Sequence, residues 1–324
     1  MAISGILSSQ NHYNQRASGT WPTSFYVYAP VLTQKAIFGY GYDGTTGGLS
    51  MTNLVSNTGV VANDTTGVGT ARFALAAAGY GTDKAIFGYG YNTSTGTTYN
   101  MTNLVSNTGV VGNDVTGVGT HRKHLAAAGY GTDKAIFGYG NGSYTAVTNL
   151  VSNTGVVASN TAGVGTARGY LAAAGYGTDK AIFGYGYADA GQQSVTNLVS
   201  NTGVVASNTA GVGTARHYLA AAGYGTDKAI FGYGNSGSIV SVTNKVSNTG
   251  VVSSDTTGVG TIRERLAAAG YGTDKAIFGY GYNGSPYNHY SITNLVSNTG
   301  VVATDTTGVG TVRQGLAAAG YSLT

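Results

Sequence analysis

The heptapeptide KAIFGYG begins at residues 35, 84, 134, 180, 228 and 275, at intervals of 49, 50, 46, 48 and 47 residues. Around each copy the chain reads KAIFGYG, a variable stretch, (V/M/I)TN(L/K)VSNTGVV, a polar (D/N)(T/V)(T/A)GVGTxR, two variable residues and LAAAGY. Self-similarity at such a period marks a solenoid, a propeller or an array of supersecondary units. Only the stretch ending in LAAAG has good helix formers, and it is too short to hold a helix alone. The remainder is β-branched, aromatic and punctuated by Gly, which suits short strands joined by tight turns.

Four antiparallel strands per unit are predicted. In the second unit these are Leu75–Tyr80, Lys84–Gly90, a strand around Thr102–Ser106 and Val110–Gly112. Turns fall at Gly81-Thr82-Asp83 and Asn107-Thr108-Gly109, where Asn and Gly supply left-handed backbone conformations. Four antiparallel strands in such a unit make one propeller blade. The first KAIFGYG has no LAAAGY before it, and residues 316–321 (LAAAGY) have no KAIFGYG after them. Pairing these ends would complete a sixth blade and remove two exposed sheet edges. The expected fold is therefore all-β: a six-bladed β-propeller of four-stranded blades over residues 35–324, closed by the C-terminal strand. Ala-Ala-Ala-Gly suits the crowded innermost strand, and Phe38, Phe87, Phe137, Phe183, Phe231 and Phe278 are the expected core aromatics.

This pattern resembles the kelch repeat: an Arg, a small apolar strand, a turn, a strand ending in Gly-aromatic-Gly, a variable loop and a third strand. Kelch propellers commonly close through a chain-terminal strand, so the resemblance implies the same closure. The wording KAIFGYG…TNLVSNTGVV…GVGTxR…LAAAGYG is also similar to repeats in virion proteins of aquatic bacteriophages. That likeness implies a fibre, decoration or baseplate protein located in the virion.

Composition narrows the chemistry. Of 324 residues 54 are Gly, 9% are charged and none is Cys, which leaves no disulfide, thiol catalysis or thiolate zinc site. A net charge of +4, scattered along the chain, gives no nucleic-acid footprint. No apolar run is long enough for a membrane helix. The opening residues lack the basic start and apolar stretch of a secretory signal. Letter matches to GxGxxG at 39–44 and 279–284 precede no helix, the five His are scattered, and Glu264 is the only Glu. No catalytic residue, metal or cofactor is therefore assigned.

Arg72, Arg122, Arg168, Arg216, Arg263 and Arg313 recur just before the Ala strand, and a Lys opens every second strand. Both sets are read as structural, the alternative being a positive ring around an anion. Variation between copies falls elsewhere. The turns GTDK and SNTG barely change, whereas the loops 42–50, 91–100, 141–146, 187–194, 235–241 and 282–291 differ, as does the residue pair after each Arg. By strand direction these variable segments share one face. Tyr42, Tyr91, Tyr99, Tyr144, Tyr187, Tyr287 and Tyr290, with His124, Tyr170, His217 and Tyr218, are its candidate binding residues. Tyr with Ser, Gly and Asn is the mix that paratopes use, although the same residues also simply make loops. Residues 1–34 lie outside the repeat; Trp21, Phe25, Tyr26 and Tyr28 make them an expected docking arm for other virion proteins. The expected function is non-enzymatic: anchorage through the arm, and recognition of a host glycan or neighbouring subunit by the variable face. The alternatives are a carbohydrate-active propeller enzyme and an intracellular kelch-type adaptor.

Overall fold

The computed structural model describes residues 33–284 and 288–323. Trp21, Phe25, Tyr26 and Tyr28 of the arm, and Tyr287, lie outside the described residues. The described chain is all-β. It begins with β1 (Thr33–Gly41), β2 (Leu49–Val55), β3 (Ala76–Tyr80), β4 (Lys84–Asn92) and β5 (Thr97–Val105). Then come β6 (Ala126–Tyr130), β7 (Lys134–Gly138), β8 (Thr148–Val151), β9 (Ala172–Tyr176) and β10 (Lys180–Gly184). The short β11 (Tyr187–Ala188) and β12 (Gly191–Gln192) precede β13 (Thr196–Val199), β14 (Ala220–Tyr224) and β15 (Lys228–Gly232). The last are β16 (Thr243–Val246), β17 (Ala267–Tyr271), β18 (Lys275–Tyr282), β19 (His289–Val296) and β20 (Ala317–Leu323).

Apart from the two-stranded ribbon β11–β12, these strands form six three-stranded antiparallel sheets of one design: the Ala strand, the KAIFG strand, then the TNxV strand. In four of them the strands are consecutive in sequence; in a fifth, β9-β10-β13, the short β11 and β12 intervene, and in the sixth β20 pairs with β1 and β1 with β2. That pairing runs from Thr33↔Leu323 through Ile37↔Ala319 to Gly39↔Ala317. The Ala strands also neighbour one another: β3 meets β6, β6 meets β9, β9 meets β14, β14 meets β17, β17 meets β20 and β20 meets β3. They approach so closely that a Cβ on Gly320 would lie 2.9 Å from the carbonyl oxygen of Gly270. This is why the sequence spends Ala and Gly on these strands.

The expected fourth strand is not a strand. Each segment after SNTG touches the third strand only through single bridges, Val105↔Val111 and Thr102↔Val115 in the second unit. Between them the Asn103 side chain takes over the ladder's role, donating through Nδ2 to Gly112 O at 3.0 Å and Asp114 Oδ1 at 2.9 Å. A side chain that captures backbone in this way competes with regular pairing. Val110, which a paired outer strand would have sheltered on one side, is 66% exposed.

Packing between sheets rests on the KAIFGYG strand. Its Ala, Ile, Phe and first Tyr are wholly buried in every copy. Burying each Phe stabilises by about 1.5–3 kcal/mol. Tyr40 adopts φ 64° and Gly41 φ 115°, a bulge that shifts the register between Gly39 and Gly41. The bulge turns the Tyr40 ring onto Phe87 of the next sheet, with centroids 5.1 Å apart, and its hydroxyl donates to Val68 O. A left-handed Tyr is strained, and six such contacts between sheets are what the strain sustains.

The six repeated Arg are the largest buried side chains, each at most 1% exposed. Arg72 donates from Nε to Tyr89 O at 2.7 Å, from Nη1 to Thr70 O at 2.8 Å and from Nη2 to Asn103 Oδ1 at 2.6 Å. Its Cζ lies 4.4 Å from the ring centre of Tyr40 in the preceding sheet. Burial pushes the Tyr40 phenol up to about 12 despite the opposing Arg72 charge. Arg313 repeats the arrangement across the chain ends, donating to Tyr40 O at 2.8 Å and Asn53 Oδ1 at 2.6 Å.

Candidate functional site

Strand direction sorts the molecule into two ends. At one, Gly-Thr-Asp turns join five of the Ala strands to their KAIFG strands, and β20 meets β1 without a turn. The turns border a cavity of about 310 Å³ lined by repeated Gly, Tyr, Thr and Lys, such as Tyr80, Thr82 and Lys84. Five of these Lys sit 2.6–3.0 Å from the carboxylate of the Asp before them, so their charge is already matched. The buried Arg add nothing to this lining.

The other end carries the variation. The second residue of each variable pair after Arg is Ala74, His124, Tyr170, Tyr218, Arg265 or Gly315, and all six are left-handed, with φ between 52° and 61°. Their backbones form a cyclic chain of hydrogen bonds: Ala74 N donates to Gly315 O, His124 to Ala74, Tyr170 to His124, Tyr218 to Tyr170, Arg265 to Tyr218 and Gly315 to Arg265, all at 2.7–2.9 Å. The first residue of each pair bridges to the residue after FGYG, as Phe73 does to Tyr91 and Gln314 to Tyr42. The variable pairs and the bases of the variable loops are thus one continuous surface.

Side chains on this rosette gather into two groups. In the first, His124 lies 4.2 Å from Tyr170, Tyr170 4.6 Å from Tyr218, and Tyr218 4.7 Å from His217, centroid to centroid. Tyr187 joins through His217 at 5.3 Å, and Tyr144 lies 6.3 Å from Tyr187. Arg265 caps the group, its Cζ 4.2 Å above the Tyr218 ring. In the second, Phe73 lies 5.3 Å from Tyr42 and 5.7 Å from Tyr91, while His289 lies 6.3 Å from Tyr42 and 5.3 Å from Tyr282. Lys123 Nζ, 3.8 Å above the Tyr91 ring, stands between the two groups in sequence and space. These aromatics are all half-buried.

Of the residues expected on this face, Tyr144, Tyr170, Tyr187, His124, His217 and Tyr218 fall in the first group, and Tyr42 and Tyr91 in the second. Tyr99 and Tyr290 belong to neither: Tyr99 hydrogen-bonds Thr95 within its own loop, and the Tyr290 hydroxyl accepts from Asn283 at 2.8 Å. Sequence reasoning passed over Phe73, Arg265, Tyr282 and Gln314 as site members. Their signal was available, since they occupy the variable pairs or the residue after FGYG, but nothing in the letters places those positions on a rosette.

Electrostatically the face is nearly neutral. Burial holds His124 well below the usual imidazole range, helped by the charges of Arg265 and Lys123. Burial also lowers His217, with Glu264 opposing. Glu264 accepts from Asn235 Nδ2 at 2.7 Å and pairs with Arg265 Nε at 3.4 Å. Neutral imidazoles, phenols and amides both donate and accept, which suits hydroxyl-rich ligands better than multiply charged ones. Among the described residues no three His, Asp or Glu side chains are grouped to hold a metal ion. No protein-family model matches this chain, and no curated protein matches it either.

Proposed function

We propose that the chain is a non-enzymatic binding protein, a closed six-bladed propeller whose variable end recognises a glycan. The closure is supported by the β1–β20 pairing and the cyclic contacts of the Ala strands. The single observation that carries the recognition role is the aromatic grouping on the rosette. A scaffold copied almost verbatim holds six left-handed positions, and four of them carry His124, Tyr170, Tyr218 and Arg265 instead of the unstrained Gly seen at 315. Strain kept at such positions points to the side chains as its reason. Flat aromatic faces with neutral donors and acceptors are what pyranose rings require. The setting we propose is a bacteriophage virion, on the likeness of the repeat wording, with the arm of residues 1–34, of which Thr33 and Gln34 already pair with β20, as the anchor to other virion proteins.

A glycan array tests the recognition. Retention of sugar without turnover is expected, and Tyr218→Ala should weaken it at least tenfold. Hydrolysed product would favour the carbohydrate-active enzyme. Capture of another virion protein with no glycan retained would favour a neighbouring subunit as the partner. Removing residues 1–32 should leave a folded protein that no longer enters particles; normal incorporation would refute the anchor.

A further inference from the structure

The hydrogen-bonded ring of the rosette encloses a pocket of about 80 Å³ on its axis, lined by all six rosette residues, by Phe73 and Gln314, and by the six Leu that follow the rosette in the chain. Each Leu lies one residue further in, toward the Ala strands, and is 5–6% exposed, so together they make an apolar floor. The polar side chains of the lining, chiefly Tyr170, Tyr218 and Arg265, belong to the rosette itself and stand a level above that floor. Two further polar atoms are shut off from the space. Gln314 Oε1 and Arg265 Nε are both buried out of contact with solvent, and Nε is ion-paired with Glu264 Oε1 at 3.4 Å. A guest therefore meets hydrocarbon at the bottom and aromatic rings with polar edges at the mouth. His124, Tyr170 and Tyr218 stand ring to ring at 4.2 and 4.6 Å, while Ala74 and Gly315 contribute little side chain or none.

Such a pocket takes one small apolar substituent of a ligand whose remainder lies on the aromatic face. The hydroxymethyl group of an ordinary hexose would bring its O–H onto the Leu floor, and a buried hydroxyl without a partner is costly. The methyl of a 6-deoxyhexose needs no partner and gains by leaving water. Its ring hydroxyls then stay level with Tyr170, Tyr218 and Arg265, where donors and acceptors stand. We infer that the axis of the rosette is a subsite for the C6 methyl of a 6-deoxyhexose. The inference rests on the glycan-binding reading and specifies the sugar class.

Paired titrations test it, each pair differing by the single 6-hydroxyl: L-fucose against L-galactose, and L-rhamnose against L-mannose. The deoxy member of at least one pair should bind about tenfold more tightly, a size in keeping with what a hydrophobic pocket gains or loses for one small group. Nuclear Overhauser contacts should link the C6 methyl of the bound sugar to Leu methyl groups. Ala74→Tyr, which fills the pocket, should abolish the preference. The same side chain already stands at Tyr170 and Tyr218 with φ of 57° and 56°, against 56° at Ala74, so the backbone accepts it. The Leu contacts of the unaltered protein decide the question whether or not that variant folds. Equal affinity within both pairs, a preference that survives Ala74→Tyr, or a C6 methyl without Leu contacts overturns the subsite and leaves the glycan reading standing. If N-acetylgalactosamine gains as much over galactose as the deoxy sugars gain over their parents, the pocket accepts methyl groups at large and the 6-deoxyhexose assignment falls. No binding to any glycan overturns both.

Discussion

At the scale of single residues, the position that opens each Asp-Thr-Thr-Gly stretch has more consequence than its loop-like surroundings suggest. Asp114 accepts from Thr70 N, from Thr70 Oγ1 at 2.6 Å and from Asn103 Nδ2, and lies 3.8 Å from buried Arg72. Asp64, Asp255 and Asp305 do the same for Arg313, Arg216 and Arg263. Two units carry Asn160 and Asn208 instead, so among the described residues neither Arg122 nor Arg168 has a carboxylate as an ionic contact. A buried charge without its counter-ion is destabilising. Asn160→Asp, with Asn208→Asp beside it, should therefore raise stability at pH 7 by about 1 kcal/mol each, discounted for the partial exposure of the site. The pH dependence gives a second readout. Burial raises the four native Asp, but hydrogen bonds from Thr and Asn outweigh it and hold them below the usual carboxylate value. Their contribution is present above the unfolded pKa of about 3.9 and lost as pH falls through the lower folded value. Thermal melts should show the gain from both substitutions at pH 7 and its disappearance near pH 2; a gain that persists there would exclude the charge as its cause. The buried Tyr act at the other extreme. Tyr40, Tyr185, Tyr233 and Tyr280 are pushed up to about 12 by burial. A folded pKa above the unfolded value of about 10 means stability is intact below pH 10 and lost as pH rises toward 12. Tyrosinate absorbance should accordingly rise in two stages, the exposed phenols first and the buried ones together with unfolding; one smooth stage near pH 10 would contradict it.

Among the elements, the KAIFG strand was the most legible, because its residues are dictated by neighbours on both sides. Gly88 shows how tightly. A Cβ there would lie 2.7 Å from Cζ of Phe137 in the next sheet and 3.1 Å from Thr102 Cγ2. Gly88→Ala should cost about 1–3 kcal/mol, as overpacking generally does. Pairing it with Phe137→Leu should recover part of that loss, because the two changes share one contact. Denaturant melts of the single and double variants measure the coupling, and strict additivity would show that the ring is not what the glycine makes room for. The outer segment was misread for the opposite reason. Val110-Val111 has the letters of a strand, but Asn103 reaches across to Gly112 O and Asp114, and such side-chain capture is invisible in strand propensity. The rosette was equally hidden: six residues share one left-handed geometry, yet only position 315 shows it by being Gly.

For the whole molecule, the repeat period announced sheets of one kind, and the unmatched ends announced which strands would meet. Which loop residues would come together was not legible, because it depends on the hydrogen-bonded rosette and not on any unit alone. Several contacts join the two ends of the described chain. β20 pairs with β1, Arg313 reaches Tyr40 and Asn53, and Thr311 Oγ1 donates to Asp64 at 2.7 Å. The β20–β1 pairing repeats what the other sheets make internally, and the Arg313 and Thr311 contacts repeat those that Arg72 and Thr70 make, so the end-to-end junction has the same bonding as the others. A covalent link across it therefore need not distort the backbone. The chain contains no Cys, so two introduced cysteines have only each other to pair with. Thr33 and Leu323 are direct partners in the β1–β20 register. Thr33→Cys with Leu323→Cys should form an intramolecular disulfide, and closing so long a loop should stabilise by roughly 5–6 kcal/mol in the chain-entropy account. Mass spectrometry reads the bond, and melting with and without reductant reads its effect. Cysteines that stay reduced, or that join separate molecules under mild oxidation, would mean that the ends do not meet in solution, and the closed propeller would fall with them.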